Sequence, residues 1–151
     1  MRTRLKQLSI DGAALGDVVA YNGGNWAPQP EGAGEDVGDY TNLPGAVALR
    51  DVVYISGADT VALADADDPA KVPAIGVVVA IIDPTNCRVQ LQGEVGGFGG
   101  LVPNTDYYLD TAAGGITAAP PIAPGSIVQK IGRARDATTL VVETDLDYLV
   151  N

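Results

Sequence analysis

Histidine is absent from this 151-residue sequence, and cysteine occurs only once, as Cys87. Without an imidazole the chain cannot build a Ser–His–Asp or Cys–His triad, and metal sites that need a histidine ligand are excluded as well. A single cysteine cannot form a disulfide within the chain, so cysteine usage gives no sign of an oxidising compartment. Any active site would have to work with carboxylates alone.

Large aromatic side chains are also scarce, because the sequence has one phenylalanine and one tryptophan. The core must therefore be built from Val, Ile, Leu and Ala. A cleft that cleaves polysaccharides with paired carboxylates usually offers aromatic platforms as well, and this chain has few residues for them. We predict that the protein is not an enzyme. A glycosidase that works with carboxylates alone is the least favoured alternative.

Positive charge is in short supply, since nine Lys and Arg residues face nineteen Asp and Glu residues, for a net charge of −10. Such a surface repels nucleic acid and anionic lipid, so we expect neither as a partner. The longest apolar run, AIGVVVAII at 74–82, has nine residues, whereas a membrane-spanning helix needs roughly 20. The start, MRTRLKQLSIDG, is basic but has no apolar signal core after it, which predicts a protein kept in a cytosol.

Two short motifs suggest a bound ligand but lack the residues that it would need. The segment GEVGGFGG at 93–100 lacks the Lys-Ser/Thr ending of a phosphate-binding loop, and we interpret its glycines as positions of close backbone approach. Asp65, Asp67 and Asp68 could bind Ca²⁺ weakly, but they lack the glycine and the bidentate Glu of an EF-hand loop. We predict no cofactor and no metal.

The apolar run at 74–82 is the centre of the predicted fold. It is rich in Val and Ile and is bounded by Pro73 and by Asp83-Pro84, which predicts a strand buried on both faces rather than a helix. With 19 Gly and 10 Pro residues separating short Val/Ile runs, the whole chain is predicted to be all-β. The other predicted strands of the main domain are 46–49, 52–55, 60–63, 87–92, 126–132 and 138–143.

The first 44 residues are predicted to contain two further segments. Residues 1–30 form an N-terminal arm and a β-hairpin, in which Asn22-Gly23-Gly24-Asn25 is a strong turn signal between two strands. Residues 31–44 are an acidic linker by composition, either a solvated loop or an extended arm that is anchored on a neighbour by Tyr40. The main β-domain is predicted to span 45–151.

The hairpin sequence GDVVAYNGGNWAPQ at 16–29 resembles a short motif of bacteriophage tail fibres and other virion appendages. In that motif, Gly-Asp and alternating apolar residues are followed by Asn-Gly, then by Trp and Pro. From the residues alone, Trp26 covers a small core of the hairpin, and stacking of Trp26 on a sugar is the alternative.

The main domain resembles a second bacteriophage theme, found in small β-domains of capsid decoration proteins, head fibres and tail fibres. Four blocks carry the resemblance: DADDPAKVPAIGVV, VQLQGEV, PNTDYYLDTAAGGIT and VQKIGRA. It covers about two thirds of the chain. It implies a small Gly/Pro-rich β-barrel or β-tulip, preceded by the arm and hairpin.

The resemblance implies a structural virion protein, most simply a capsid decoration (cement) protein that binds the outer surface of the major capsid protein as a homotrimer. The expected location is the capsid surface of a virion assembled in the host cytoplasm. The alternative is a head-fibre or tail-fibre module that binds a host-surface glycan through Trp26, Tyr107 and Tyr108. The residues expected to contact the capsid or a neighbouring subunit are Arg2, Arg4, Leu5, Lys6, Leu8, Trp26 and Tyr40.

A second basic group, Lys130, Arg133 and Arg135, lies within six positions near the end of the chain. On an acidic protein, these residues could form a docking face for an acidic capsid surface. Salt bridges within the domain are the alternative explanation.

Overall fold

The structure is a computed structural model and describes residues 18–21, 26–29 and 36–151. The predicted contact residues Arg2, Arg4, Leu5, Lys6 and Leu8 lie outside these described residues. The chain divides into two compact units, Met1–Ala33 and Gly34–Asn151.

The described residues form thirteen strands and one short 3₁₀ helix, Pro69–Lys71. The strands are β1 (Val18–Tyr21), β2 (Trp26–Gln29), β3 (Asp36–Thr41), β4 (Val52–Gly57), β5 (Thr60–Leu63), β6 (Ala74–Asp83), β7 (Asn86–Val95), β8 (Asp106–Leu109), β9 (Ile116–Thr117), β10 (Ile127–Val128), β11 (Lys130–Ala134), β12 (Leu140–Glu143) and β13 (Leu149–Val150). The all-β prediction is confirmed.

In the first unit, β1 and β2 pair antiparallel, with Tyr21 opposite Trp26. The two strands of the predicted hairpin are therefore confirmed. The Asn-Gly-Gly-Asn segment between them lies outside the described residues.

The second unit contains a closed five-stranded barrel. Its strands follow the order β3-β5-β4-β6-β7, and β3 pairs with β7 to close the ring. The β3–β5 pair is parallel, and the other four pairs of the ring are antiparallel. Of the two architectures that the resemblance implies, the barrel is the one observed.

The long strand β7 joins the barrel to the rest of the sheet. Its first part pairs with β3, from Asn86 opposite Thr41 to Gln92 opposite Asp36. Its last residues pair with β12, with Val95 opposite Leu140. From β12 the sheet continues through β11, β8 and β9, so one ten-residue strand connects two packed regions.

Each packed region has its own hydrophobic core. Val53 and Val78 face the barrel core, together with Cys87 and Val89. Val52 and Val77 face the larger core under β8, β11 and β12. Because successive side chains of a strand point to opposite faces, β4 and β6 supply both cores at once.

The prediction that residues 74–82 are buried on both faces is correct for one half of the strand. Ala74, Val77 and Val78 are fully buried, but Ile81 and Ile82 are 43% and 50% exposed. β4 pairs with β6 only from Ala74 to Val77. The second half of β6 therefore extends past the end of its neighbour β4 in the sheet.

The prediction of an acidic linker over residues 31–44 is wrong for residues 36–41, which form β3 and close the barrel. Asp39 points to solvent and forms an ion pair with Arg88 of β7, at 2.7 Å. Tyr40 is half-buried and packs against the barrel core, and its ring lies over Gly38. The acidic residues therefore lie on the solvent side of a strand. Their composition is also typical of a linker, which is why the sequence alone predicted one.

The predicted strand at 46–49 is also wrong, because these residues form a bend at Ala46, an irregular stretch and the start of a turn at Leu49. The Asp51 carboxylate accepts a hydrogen bond from the backbone N–H of Ala48, at 2.6 Å, and the N–H of Ala46 donates to the Leu43 carbonyl, at 2.9 Å. Val47 still reaches the barrel core. The remaining predicted strands are confirmed, the one at 60–63 with the same ends and the others with shifted ends, and the one at 126–132 is split between β10 and β11 at Gln129.

Candidate functional site

The last six residues expose a group of apolar side chains that we call the C-terminal strip: Leu146, Tyr148, Leu149 and Val150. Their exposed fractions are 61%, 39%, 73% and 61%. Leu149 and Val150 form β13, which pairs with β10. Clustered apolar residues on a soluble surface are typical of a binding site, whereas single ones are ordinary.

Hydrogen bonds of Asn151, together with the β10 pairing, fix the backbone at the end of this strip. The N–H of Asn151 donates to the Ser126 carbonyl at 3.0 Å, and the Asn151 carbonyl accepts from the N–H of Gly125 at 2.7 Å. The Asn151 amide donates to the Pro121 carbonyl at 2.7 Å. The apolar side chains are thus exposed on a backbone that is held in place, so a partner would meet a preformed surface.

An apolar groove runs into the strip from the barrel. It is lined by Tyr40, Ile55, Ile75, Leu91 and Leu146, and Asp36, Gln92 and Thr144 complete its wall. Leu146 belongs to both the groove and the strip, so the two surfaces are continuous. The Thr144 hydroxyl is buried and has no hydrogen-bond partner among the described residues.

A second pocket, which shares Tyr148 and Leu149 with the strip, has aromatic and charged walls. Tyr108 and Tyr148 line it, together with Lys130, Asp145 and Asp147. Tyrosine faces beside carboxylates can stack on and hydrogen-bond to a polar ring such as a sugar. This pocket contains Tyr108, one of the three aromatic residues predicted for a glycan site.

The second predicted glycan residue, Tyr107, is in the wrong place for that role. Only 6% of it is exposed, and it packs in the larger core. Its hydroxyl accepts a hydrogen bond from the N–H of Val102, at 3.0 Å. Because residues alternate along β8, Tyr108 faces away from the core that buries Tyr107. The third, Trp26, lies on β2 of the first unit.

The basic group near the end of the chain is ion-paired within the domain. Arg133 donates to Asp106 through Nε at 2.7 Å, and Lys130 lies 3.3 Å from the same carboxylate. Arg135 pairs with Glu94. The hydrogen bond from Arg133 holds the pKa of Asp106 below its usual value. The salt-bridge alternative is confirmed for Lys130, Arg133 and Arg135.

The acidic turn has a structural explanation too. Asp65 and Asp68 both lie within salt-bridge distance of Lys71, at 3.6 and 3.2 Å. Asp68 also accepts the N–H of Ala70 and begins the 3₁₀ helix. In residues 18–21, 26–29 and 36–151, no group of three or more acidic, Cys or His side chains is placed to hold a metal ion.

The sequence interpretation missed the C-terminal strip. The signal was present as Leu146, Tyr148, Leu149 and Val150 in one short segment, although no strand was predicted there. Of the predicted contact residues, Tyr40 reaches the groove that meets the strip, and Trp26 lies in the first unit. A contact of either residue with a neighbour stays a prediction.

Among the described residues, no helix is long and apolar enough to cross a membrane. No family model matches the sequence, and no curated protein matches it significantly.

Proposed function

We propose that this chain is a structural virion protein, a capsid decoration (cement) protein that binds the outer capsid surface and stabilises the shell. The observation that carries the proposal is the C-terminal strip, four exposed apolar side chains on a backbone held by hydrogen bonds. A preformed apolar surface suits a protein that must stay bound to another protein.

The proposed action is mechanical. The strip and the groove beside it are covered on assembly, either between the copies of a homotrimer or on the major capsid protein. Each Å² of apolar surface removed from water contributes roughly 25 cal/mol. Many such contacts, multiplied over a closed lattice, oppose rupture of the shell. The basic residues Arg2, Arg4 and Lys6 are proposed to meet an acidic capsid surface, with Leu5 and Leu8 adding apolar contact.

The copy number of the protein in purified virions tests this proposal. Quantitative mass spectrometry would compare peptides of this chain with peptides of the major capsid protein. Hundreds of copies per particle are expected for a decoration protein. A handful would place the protein on a tail or at one vertex, and absence from particles would overturn the virion assignment.

A fibre module that binds a host-surface glycan is the second candidate, and the pocket around Tyr108 and Tyr148 favours it. Glycan binding would be measured on an array with the full chain and with Tyr108→Ala. Binding that the variant loses, combined with a low copy number, would favour this function over decoration. The pocket and the strip share Tyr148 and Leu149, so a decoration interface there would cover the pocket.

A further inference from the structure

The most exposed large apolar side chain that the structure describes belongs to a loop between β9 and β10. Residues 118–124, Ala-Ala-Pro-Pro-Ile-Ala-Pro, form this segment, which we call the proline loop. Ile122 lies near its centre and is 89% exposed. Single exposed apolar residues are ordinary on a protein surface, but Ile122 differs from them because its backbone is fixed.

Hydrogen bonds and prolines fix the proline loop on both sides of Ile122. The carbonyl of Pro121 accepts a hydrogen bond from the side-chain amide of Asn151, at 2.7 Å. The carbonyl of Ala123 accepts from the N–H of Ser126 at 3.0 Å and from the Ser126 hydroxyl at 2.6 Å. Three of the seven loop residues are prolines, in which the ring fixes the φ angle. Ile122 is therefore held in an exposed position before any partner binds, so binding would cost little conformational entropy.

The chain around the proline loop carries no charge. Residues 111–129 contain no Asp, Glu, Lys or Arg, although 19% of the whole sequence is charged. Because each copy of this protein has a net charge of −10, two copies repel each other where their acidic surfaces meet. A contact between copies is opposed least where one surface is uncharged, whereas a basic partner would gain from carboxylates at its contact. The uncharged loop therefore favours a second copy as its partner.

The apolar groove of the same chain has the complementary chemistry. Five of its eight lining residues are apolar or aromatic, and Asp36 is the only charged one. Its volume of about 340 Å³ lies within the range of small-ligand pockets. Tyr40 gives the groove an aromatic wall, and grooves of this kind bind proline-rich segments. Prolines offer carbonyls but no N–H, and the exposed Gln92 side chain can donate to a carbonyl.

We propose that Ile122 of the proline loop docks in the apolar groove of a second copy of this protein. The two surfaces differ, so the contact is head-to-tail, and its repetition forms a ring if the rotation between copies closes. The C-terminal strip would be covered at the edge of the same contact, because Asn151 is bonded to the loop and Leu146 lines the groove. This contact would provide the subunit interface of the proposed decoration protein, and it rests on that function only for its role in the virion.

Two substitutions in the full chain break the two halves of the contact separately. Ile122→Asp places a carboxylate on the loop, and Ile55→Asp places one in the groove. Both side chains are exposed, by 89% and 46%, so both variants should unfold in urea like the wild type. If Ile55→Asp is destabilised, Ile55→Thr replaces it, because threonine keeps a β-branched residue in β4.

Self-association of these variants is measured by sedimentation equilibrium. Association should be at least tenfold weaker in Ile122→Asp and in the groove variant than in the wild type, as for a residue at the centre of an interface. Leu43→Asp is the control, because it makes the same change at a side chain that is 72% exposed and lines neither surface. Equal weakening by Leu43→Asp would assign the effect to the added charge and contradict the proposal.

Mixing the two variants tests whether unlike surfaces meet. Ile122→Asp keeps an intact groove and Ile55→Asp keeps an intact loop, so an equimolar mixture should form a complex that neither variant forms alone. A contact between two identical surfaces, such as strip against strip, would not be restored in this way. Absence of a complex in the mixture would overturn the proposal.

Salt provides a second readout of the same contact. Association of the wild type should stay constant or strengthen as sodium chloride is added, because salt screens the repulsion between acidic copies. Association that weakens with salt would indicate ion pairs at the interface and contradict docking of an uncharged loop. A wild type that stays monomeric throughout would also overturn the proposal. The copy number in virions is measured separately, so failure of this contact and failure of the proposed function can be distinguished.

Discussion

Replacing Gln129 by Leu should destabilise the main unit strongly. This fully buried side chain pairs with the backbone N–H and C=O of another residue, as a neighbouring strand would. Its Oε1 accepts the N–H of Ala74 at 2.8 Å, and its Nε2 donates to the Ala74 carbonyl at 2.9 Å. The same Nε2 donates to the Asp145 carbonyl at 2.7 Å. A leucine of similar size would leave the two Ala74 groups buried without partners.

The magnitude follows from those unpaired groups. Each buried donor or acceptor that loses its partner costs about 1–3 kcal/mol, and the leucine regains part of this through apolar burial. We expect the free energy of unfolding to fall by about 3 kcal/mol, a large fraction of the stability of a domain of this size. Urea unfolding followed by far-UV circular dichroism measures it, with an unchanged m value as the sign of an intact native state.

The control for this substitution is Gln92→Leu, because Gln92 is an exposed residue of β7. That variant should change the free energy of unfolding by less than about 0.5 kcal/mol. If Gln129→Leu were as mild as its control, the hydrogen bonds to Ala74 would contribute little, and the reasoning from buried polar groups would be refuted.

Three further predictions concern a close approach, a carboxylate and the exposed strip. Gly76→Ala should cost about 2–3 kcal/mol in urea unfolding, because its Cβ would collide with the Gln90 carbonyl of the neighbouring strand; a loss below 1 kcal/mol would show that β7 yields easily. Hydrogen bonds, first of all from the N–H of Thr138, lower the pKa of Asp136 from 3.8 to about 2. The carboxylate therefore stabilises the fold above about pH 4, and this contribution is lost as the pH falls through about 2. Asp136→Asn should unfold more easily than the wild type at pH 7, and the difference should shrink to a small remainder at pH 2; a pH-independent difference would contradict this cause. Leu149→Ser should leave the free energy of unfolding of the monomer within about 0.5 kcal/mol while weakening self-association in sedimentation; association that is unchanged would remove the strip from the interface between copies.

The parts of the fold that the sequence predicts correctly are those in which apolar residues mark a strand. The runs that form β4, β5 and β6 are rich in Val, Ile or Leu, and their positions are confirmed. β3 was not predicted from the sequence, because its acidic residues face solvent and only alternate residues face the barrel core. Residues 46–49 mislead in the opposite direction, since the Asp51 carboxylate stabilises a turn across an apolar sequence.

The candidate site was harder to predict because it inverts the usual rule for burial. A polar residue, Gln129, is fully buried, while Leu149 and Val150 are exposed. The two facts are connected: Gln129 donates a hydrogen bond to the carbonyl of Asp145, the residue directly before the exposed apolar segment. The buried amide thus fixes the place where the apolar side chains leave the core. If the strip is an interface, Gln129→Leu should weaken assembly as well as folding, whereas Leu149→Ser should weaken assembly alone.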